Sequence, residues 1–209
     1  MPLGLLLMSR GVIQHEQLKT ALELQQQHGG RIGEWLCKVA NLTQEQVATA
    51  VGLQWGCPVF PAASADAECA RSVPFHLLET YGMVPVHWVS SARELYVGFN
   101  VKVDYTALYA IEQMLDCHTE PCVLADSELN GALQRAREAC NQHEIVMDGL
   151  DSAEEMTRIV ISYAHQVGAA SLRFVECGTY IWLRLANTKH STDLLFRREC
   201  SSSNRDRRG

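Results

Sequence analysis

Residues 31–54, RIGEWLCKVANLTQEQVATAVGLQ, restate residues 2–25, PLGLLLMSRGVIQHEQLKTALELQ, at an offset of 29 positions. No other feature constrains the fold as strongly. A stretch of this length written twice predicts the same local fold twice. In the first copy Leu18 and Leu22 lie one helical turn apart and lead into Leu24 and Gln25, so HEQLKTALELQQQ reads as an amphipathic helix. The second copy does the same with Val47, Val51 and Gln54, after Thr43 and Gln46 that fit a capping box. Each copy opens on a shorter apolar segment, residues 3–8 and 32–39, with room for two helical turns. Two helical hairpins are expected within 1–61, joined by QQHGG, whose glycines let the first long helix stop.

Residues 62–72 are poor in bulky apolar side chains and read as a linker. In 73–140, PFHLLETY suits a short helix and MVPVHWV and RELYVGFN two strands. DYTALYAIEQMLD suits a helix with Leu108, Ile111 and Leu115 inward. TEPCVLA then suits a strand, and DSELNGALQRARE a helix capped by Asp126 or Ser127. That order, αββαβα, is a small sandwich, and the whole chain is expected to be of the α+β class. Residues 141–153 read as a polar linker. Within 154–198 a helix capped near Ser152 precedes two strands, SLRFVEC and YIWLRLA, turned at Gly178. One helix and two strands are a thin basis for independent folding, so this segment is expected to lean on the rest of the chain. Residues 199–209 read as a disordered basic tail.

The formal charge of −6 argues against broad binding to a phosphate backbone, so no nucleic-acid partner is expected. The longest apolar run, LGLLLM at 3–8, is too short to span a bilayer, and no export signal follows it. A cytoplasmic location without membrane insertion is expected, with the eight cysteines reduced. Cys117 and Cys122 flank HTEP, but their spacing is loose for zinc and no second pair matches it; they read as small residues around a strand, and no metal or cofactor is expected. The eight histidines are scattered, with no nucleophile–base or paired-carboxylate spacing, so no enzyme is expected.

Read as chemistry, each copy sets a glycine, Gly4 or Gly33, at the start of its short helix, where another group can approach the backbone and free N–H groups attract anions. Arg31, just before Gly33, adds a planar fork that pairs with phosphate or stacks on a base. The long helices offer branched apolar side chains and end on Gln25 and Gln54, which carry both donors and acceptors. Both copies resemble the tandem motif of the MshEN-type domain, found at the N-terminus of type II secretion and type IV pilus assembly ATPases. Its copies each have an Arg-Leu-Gly opening, an inner glycine with apolar flanks, paired helix leucines and a closing Gln. The first copy supplies Leu3, Gly4, Leu7, Met8, Gly11, Val12, Ile13, Leu18, Leu22 and Gln25; the second supplies Arg31, Ile32, Gly33, Leu36, Cys37, Leu42, Val47, Val51 and Gln54.

The resemblance implies that the two copies clasp cyclic di-GMP, a two-fold-symmetric dinucleotide for which a doubled site is natural. The implied ligand residues are Leu3, Gly4, Leu18, Leu22, Gln25, Arg31, Ile32, Gly33, Val47, Val51 and Gln54. This sequence departs from the pattern at Pro2, in place of the first Arg, at Ala40, in place of the inner glycine, and at Asn41, in place of an apolar residue. A lost Arg is a lost charge-assisted contact, worth roughly 1.5–3 kcal/mol, or about ten- to a hundredfold in affinity. Residues 74–139 resemble the second half of the same region, and 153–185 a degenerate entry into the ATPase part. No Gly-x-x-x-x-Gly-Lys-Ser/Thr loop occurs in these residues, so the chain is read as a regulatory front end that stops before the ATPase core. Two functions remain open: a cyclic di-GMP receptor, or a ligand-free adaptor that docks on a secretion or pilus platform protein or motor ATPase, with Trp55 as a candidate anchor.

Overall fold

Both copies of the repeat fold as a short helix followed by a long one: α1 (Leu3–Ser9) and α2 (His15–His28), then α3 (Ile32–Ala40) and α4 (Gln44–Trp55). The computed structural model describes residues 1–61, 66–139, 144–149 and 152–198. The long helices start alike. Gln14 N–H donates to Gln17 Oε1 at 2.8 Å, and Thr43 N–H to Gln46 Oε1 at 2.9 Å, while Gln46 N–H donates back to Thr43 Oγ1 at 3.2 Å. Each capping box satisfies backbone donors that helix geometry leaves unpaired.

The repeat glycines are packing devices. A Cβ on Gly4 would collide with Leu18 Cδ1, and one on Gly33 would stand 2.9 Å from Val47 Cγ1. In each copy, therefore, the short helix lies against the first branched residue of its own long helix, closer than any side chain would permit. Leu7, Ile13, Leu18, Ala21, Leu36 and Ala50 close a core shared by the two copies.

The next elements are α5 (Ala67–Ala70), α6 (Phe75–Tyr81), β1 (Met83–Val89), β2 (Glu94–Phe99), α7 (Tyr105–Leu115), β3 (His118–Val123) and α8 (Asp126–Ala139). Their sheet runs β1-β2-β3, with β1 antiparallel and β3 parallel to β2. Part of the expected linker belongs to this unit. Asp66 accepts Glu68 N–H at 2.9 Å to start α5, and Cys69 and Ala70 are buried in the sandwich core, so residues 66–72 are not a free connection.

The last unit differs more from expectation. The polar stretch 141–153 contains β4 (Glu144–Met147), and after α9 (Ala153–Val167), β5 (Ser171–Cys177) and β6 (Tyr180–Ala186) comes another strand that the sequence did not announce, β7 (Ser191–Arg197). The sheet order is β4-β7-β6-β5, with β4 parallel to β7 and the other pairs antiparallel. A helix on a four-stranded sheet has a core of its own around Val160, Leu183, Leu185, Leu194 and Phe196. Its other face leans on the sandwich: Cys177, Tyr180, Trp182 and Leu195 join the sandwich core, and Tyr81 Oη donates to Cys177 O at 2.7 Å. The architecture is mixed helix and strand with two small sheets, an α+β fold. Among the described residues no helix is long and apolar enough to cross a membrane. The expected basic tail, 199–209, lies outside the described residues.

The sandwich packs on α4, the long helix of the second copy. Ala48 on α4 meets Val123 and Ala125 with Val51, Trp55 and Cys57 around them, and residues 58–60 run along β3, Val123 N–H donating to Pro58 O at 2.8 Å and Phe60 N–H to Val123 O at 2.9 Å. The second copy thereby forms a cleft with the sandwich.

Candidate ligand-binding site

The cleft has a volume of about 320 Å³ and is walled by both copies and the sandwich. Leu3 and Gln25 come from the first copy, and Arg31, Ile32, Gly33, Val47, Val51 and Gln54 from the second; Glu34, Trp55, Asn100, Val101 and Asp126 complete it. It runs into a lobe of about 240 Å³ reaching Cys37, Lys38 and Gln44. Apolar walls with a few convergent polar groups are the usual make-up of a small-molecule site.

Arg31 sits at the N-cap of α3 with extended backbone, φ −98 and ψ 142, which aims its side chain across the cleft toward the sandwich. Its Nε donates to Glu34 Oε1 at 2.9 Å and its Nη2 to Asp126 Oδ2 at 2.6 Å. The other Asp126 oxygen accepts Asn100 Nδ2 at 3.1 Å. Partial burial acts to lower the pKa of the Arg31 guanidinium, but hydrogen bonds and charge from Glu34 and Asp126 raise it overall, so it is firmly cationic. The Cys37 thiol is pushed up by burial and then by the charges of Asp126, Glu45 and Glu34. Pro2 occupies the equivalent N-cap of α1 and is exposed.

Gln25 Nε2 donates to Gly30 O at 3.0 Å, tying the end of α2 to the turn that presents Arg31. Trp35 Nε1 donates to Gly29 O at 2.8 Å on the same turn, and Lys38 Nζ stands 4.4 Å above the Trp35 ring.

The structure brings together eight of the eleven residues that the motif implies. The other three lie elsewhere. Leu18 is buried in the helical core, Gly4 is buried beneath it, and Leu22 is 49% exposed on the outer face of α2. Gly33 lines the cleft, yet the space beside its Cα is filled by Val47, so its missing side chain serves helix packing first. Asn100, Val101 and Asp126 are lining residues that the sequence did not single out for the site. One signal points to them: β2 and β3 are parallel, and polar residues just beyond the carboxyl ends of adjacent parallel strands face the crevice where ligands bind. Asp126, expected to cap α8 if Ser127 did not, instead turns its carboxylate to Arg31 and Asn100.

A scan against protein-family models finds no match, and a search of curated proteins finds none. Solved structures do match. MshE with cdg, cyclic di-GMP, aligns with a TM-score of 0.53 at 22% identity, covering 65% of this chain and 99% of that one. Two crystal forms of the N-terminal domain of XpsE align at 16% and 17% identity with TM-scores of 0.44 and 0.37, covering 64% and 62% of this chain and 92% and 90% of theirs. At this identity the likeness to MshE establishes the fold. Over the 65% of the chain that aligns, the fold is that of an MshEN-type N-terminal region, in agreement with the resemblance read from the repeat.

Proposed function

We propose that this chain is a non-catalytic, cytoplasmic cyclic di-GMP receptor related to the N-terminal regions of secretion and pilus assembly ATPases, with its site in the cleft between the second repeat copy and the sandwich. One observation carries the reading: residues from both copies converge there around a charged guanidinium, with apolar walls and amide rims. Arg31 pairs with a phosphodiester or stacks on guanine, Leu3, Ile32, Val47 and Val51 pack on base faces, and Gln25 and Gln54 hydrogen-bond at the rim. The solved MshE structure with the same dinucleotide supports the choice of ligand.

Fluorescence polarisation with labelled cyclic di-GMP, competed by unlabelled cyclic di-GMP and by GTP, tests this. Saturable binding displaced by cyclic di-GMP alone is expected, and Arg31→Ala should weaken it about ten- to a hundredfold with an unchanged circular dichroism spectrum. Equal binding by the variant would remove the role assigned to Arg31. A second reading, an adaptor docking on a platform protein or motor ATPase, is favoured by Pro2 at the first Arg position and by the engagement of Arg31 with two carboxylates. Co-purification with such a component that survives Arg31→Ala, together with no nucleotide binding, would select it.

A further inference from the structure

The receptor reading leaves one contact without a role. Asp126, the first residue of α8, reaches from the sandwich to Arg31 on the helical unit, 95 residues away in sequence, and bonds it at 2.6 Å with the two side chains 37% and 30% exposed. Asn100 holds the opposite carboxylate oxygen, which fixes Asp126 in this orientation. An aspartate at a helix start has a local use, to cap backbone N–H groups or complement the helix dipole. Here its carboxylate is turned to a guanidinium across the cleft instead.

That geometry is the one an anionic ligand would need. A guanidinium pairs with a carboxylate and with a phosphodiester through the same fork of N–H donors, so the two compete for Arg31. Charge adds to the competition. The charged side chains lining the cleft and its lobe are Arg31, Lys38, Glu34 and Asp126, which sum to zero, so a dianionic ligand meets no net attraction while Asp126 is seated. Glu34 is the weaker rival, an exposed i,i+3 neighbour on the same helix as the N-cap it serves.

We infer that Asp126 is an internal latch on the ligand site: its carboxylate occupies the phosphate position on Arg31, and ligand binding requires that the pair separate. The inference rests on the receptor reading. It also gives ligand binding a structural consequence, because the Arg31–Asp126 pair ties the helical unit to α8, beside a second polar tie from Ser127 N–H to Gln44 Oε1 at 2.9 Å.

The test uses the full chain in four forms, wild type, Asp126→Asn, Arg31→Ala and the double variant, each checked by thermal melting and titrated into labelled cyclic di-GMP. Asp126→Asn keeps the shape and removes the charge, and should bind about tenfold more tightly than wild type. The gain should vanish in the Arg31→Ala background. If wild type binds and Asp126→Asn binds no more tightly, the latch is wrong and the receptor reading stands. If Asp126→Asn tightens binding equally without Arg31, the aspartate acts as a general repulsive charge and the latch is wrong. If none of the four binds, the receptor reading fails and the latch with it. Should Asp126→Asn melt early, Asp126→Ser, another favoured helix-start residue, takes its place in the same comparison.

Discussion

Two departures of the second copy from the first, Ala40 and Asn41, are one change at the level of backbone angles. The first copy leaves α1 through Gly11 at φ +69, a conformation that costs glycine nothing. Alanine at the equivalent position cannot turn there cheaply, so α3 continues to Ala40 and the left-handed turn moves one residue on, to Asn41 at φ +54. Asparagine is among the few residues with a side chain that accept this conformation. Asn41→Gly should therefore leave stability within about 0.5 kcal/mol, whereas Asn41→Val should lower it by about 1–2 kcal/mol, read from urea unfolding. Equal stability of the two variants would contradict the turn account. The periodicity and caps of the repeat were legible in the sequence because they are local. The different fates of Leu18 and Val47 were not. They hold the same motif position, but Leu18 closes the helical core while Val47 lines the cleft that forms where the sandwich docks on α4.

Among elements, β4 and β7 show where pattern reading stops. From Thr192 to Phe196 every residue of β7 is buried, because Leu194 and Phe196 face α9 while Leu195 faces the sandwich, and the period-two alternation that marks a half-exposed strand is absent. Asp193, which breaks even the apolar run, is held by Arg184 through both oxygens at 2.7 Å and by Trp182 Nε1 at 2.8 Å. β4 is four residues long and is defined only by its partner, β7. Its entry is fixed by Glu144, whose carboxylate accepts Phe75 N–H at 2.7 Å and His76 N–H at 2.8 Å, capping α6 from a distant part of the chain. Glu144→Ala should cost about 1–3 kcal/mol in urea unfolding, as expected for lost charge-assisted bonds to helix-start donors. A loss below a few tenths would mean that the cap is idle. α8 carries the opposite lesson: its extent was readable from 3.6-residue spacing, but the use of Asp126 depended on a partner 95 residues earlier.

At the scale of the whole molecule, the sandwich and the second sheet share one core, and buried thiols sit throughout it. Cys69, Cys117 and Cys122 belong to the sandwich, Cys177 to β5, and all four fall in the same apolar cluster. Burial is the main reason that the thiols of Cys69, Cys117 and Cys177 are pushed up to about 11 and that of Cys122 to about 12. In the unfolded chain a thiol titrates near about 8.5. A group whose pKa is raised by folding contributes its full stability below the unfolded value and loses it as pH climbs toward the folded one. The urea midpoint should thus hold steady up to about pH 8 and fall between there and about pH 11. Tyr81, also raised by burial and bonded to Cys177 O, reinforces the loss at the top of that window. Because Arg184 Nη2 also donates to Ser72 O at 2.9 Å, ties between the units are polar as well as apolar, and they should unfold together. Circular dichroism and tryptophan fluorescence should then give one coincident transition at each pH for these two units, shifting as a whole. A midpoint unchanged to pH 11 would show that the thiols are solvated, and the shared core would have to be given up.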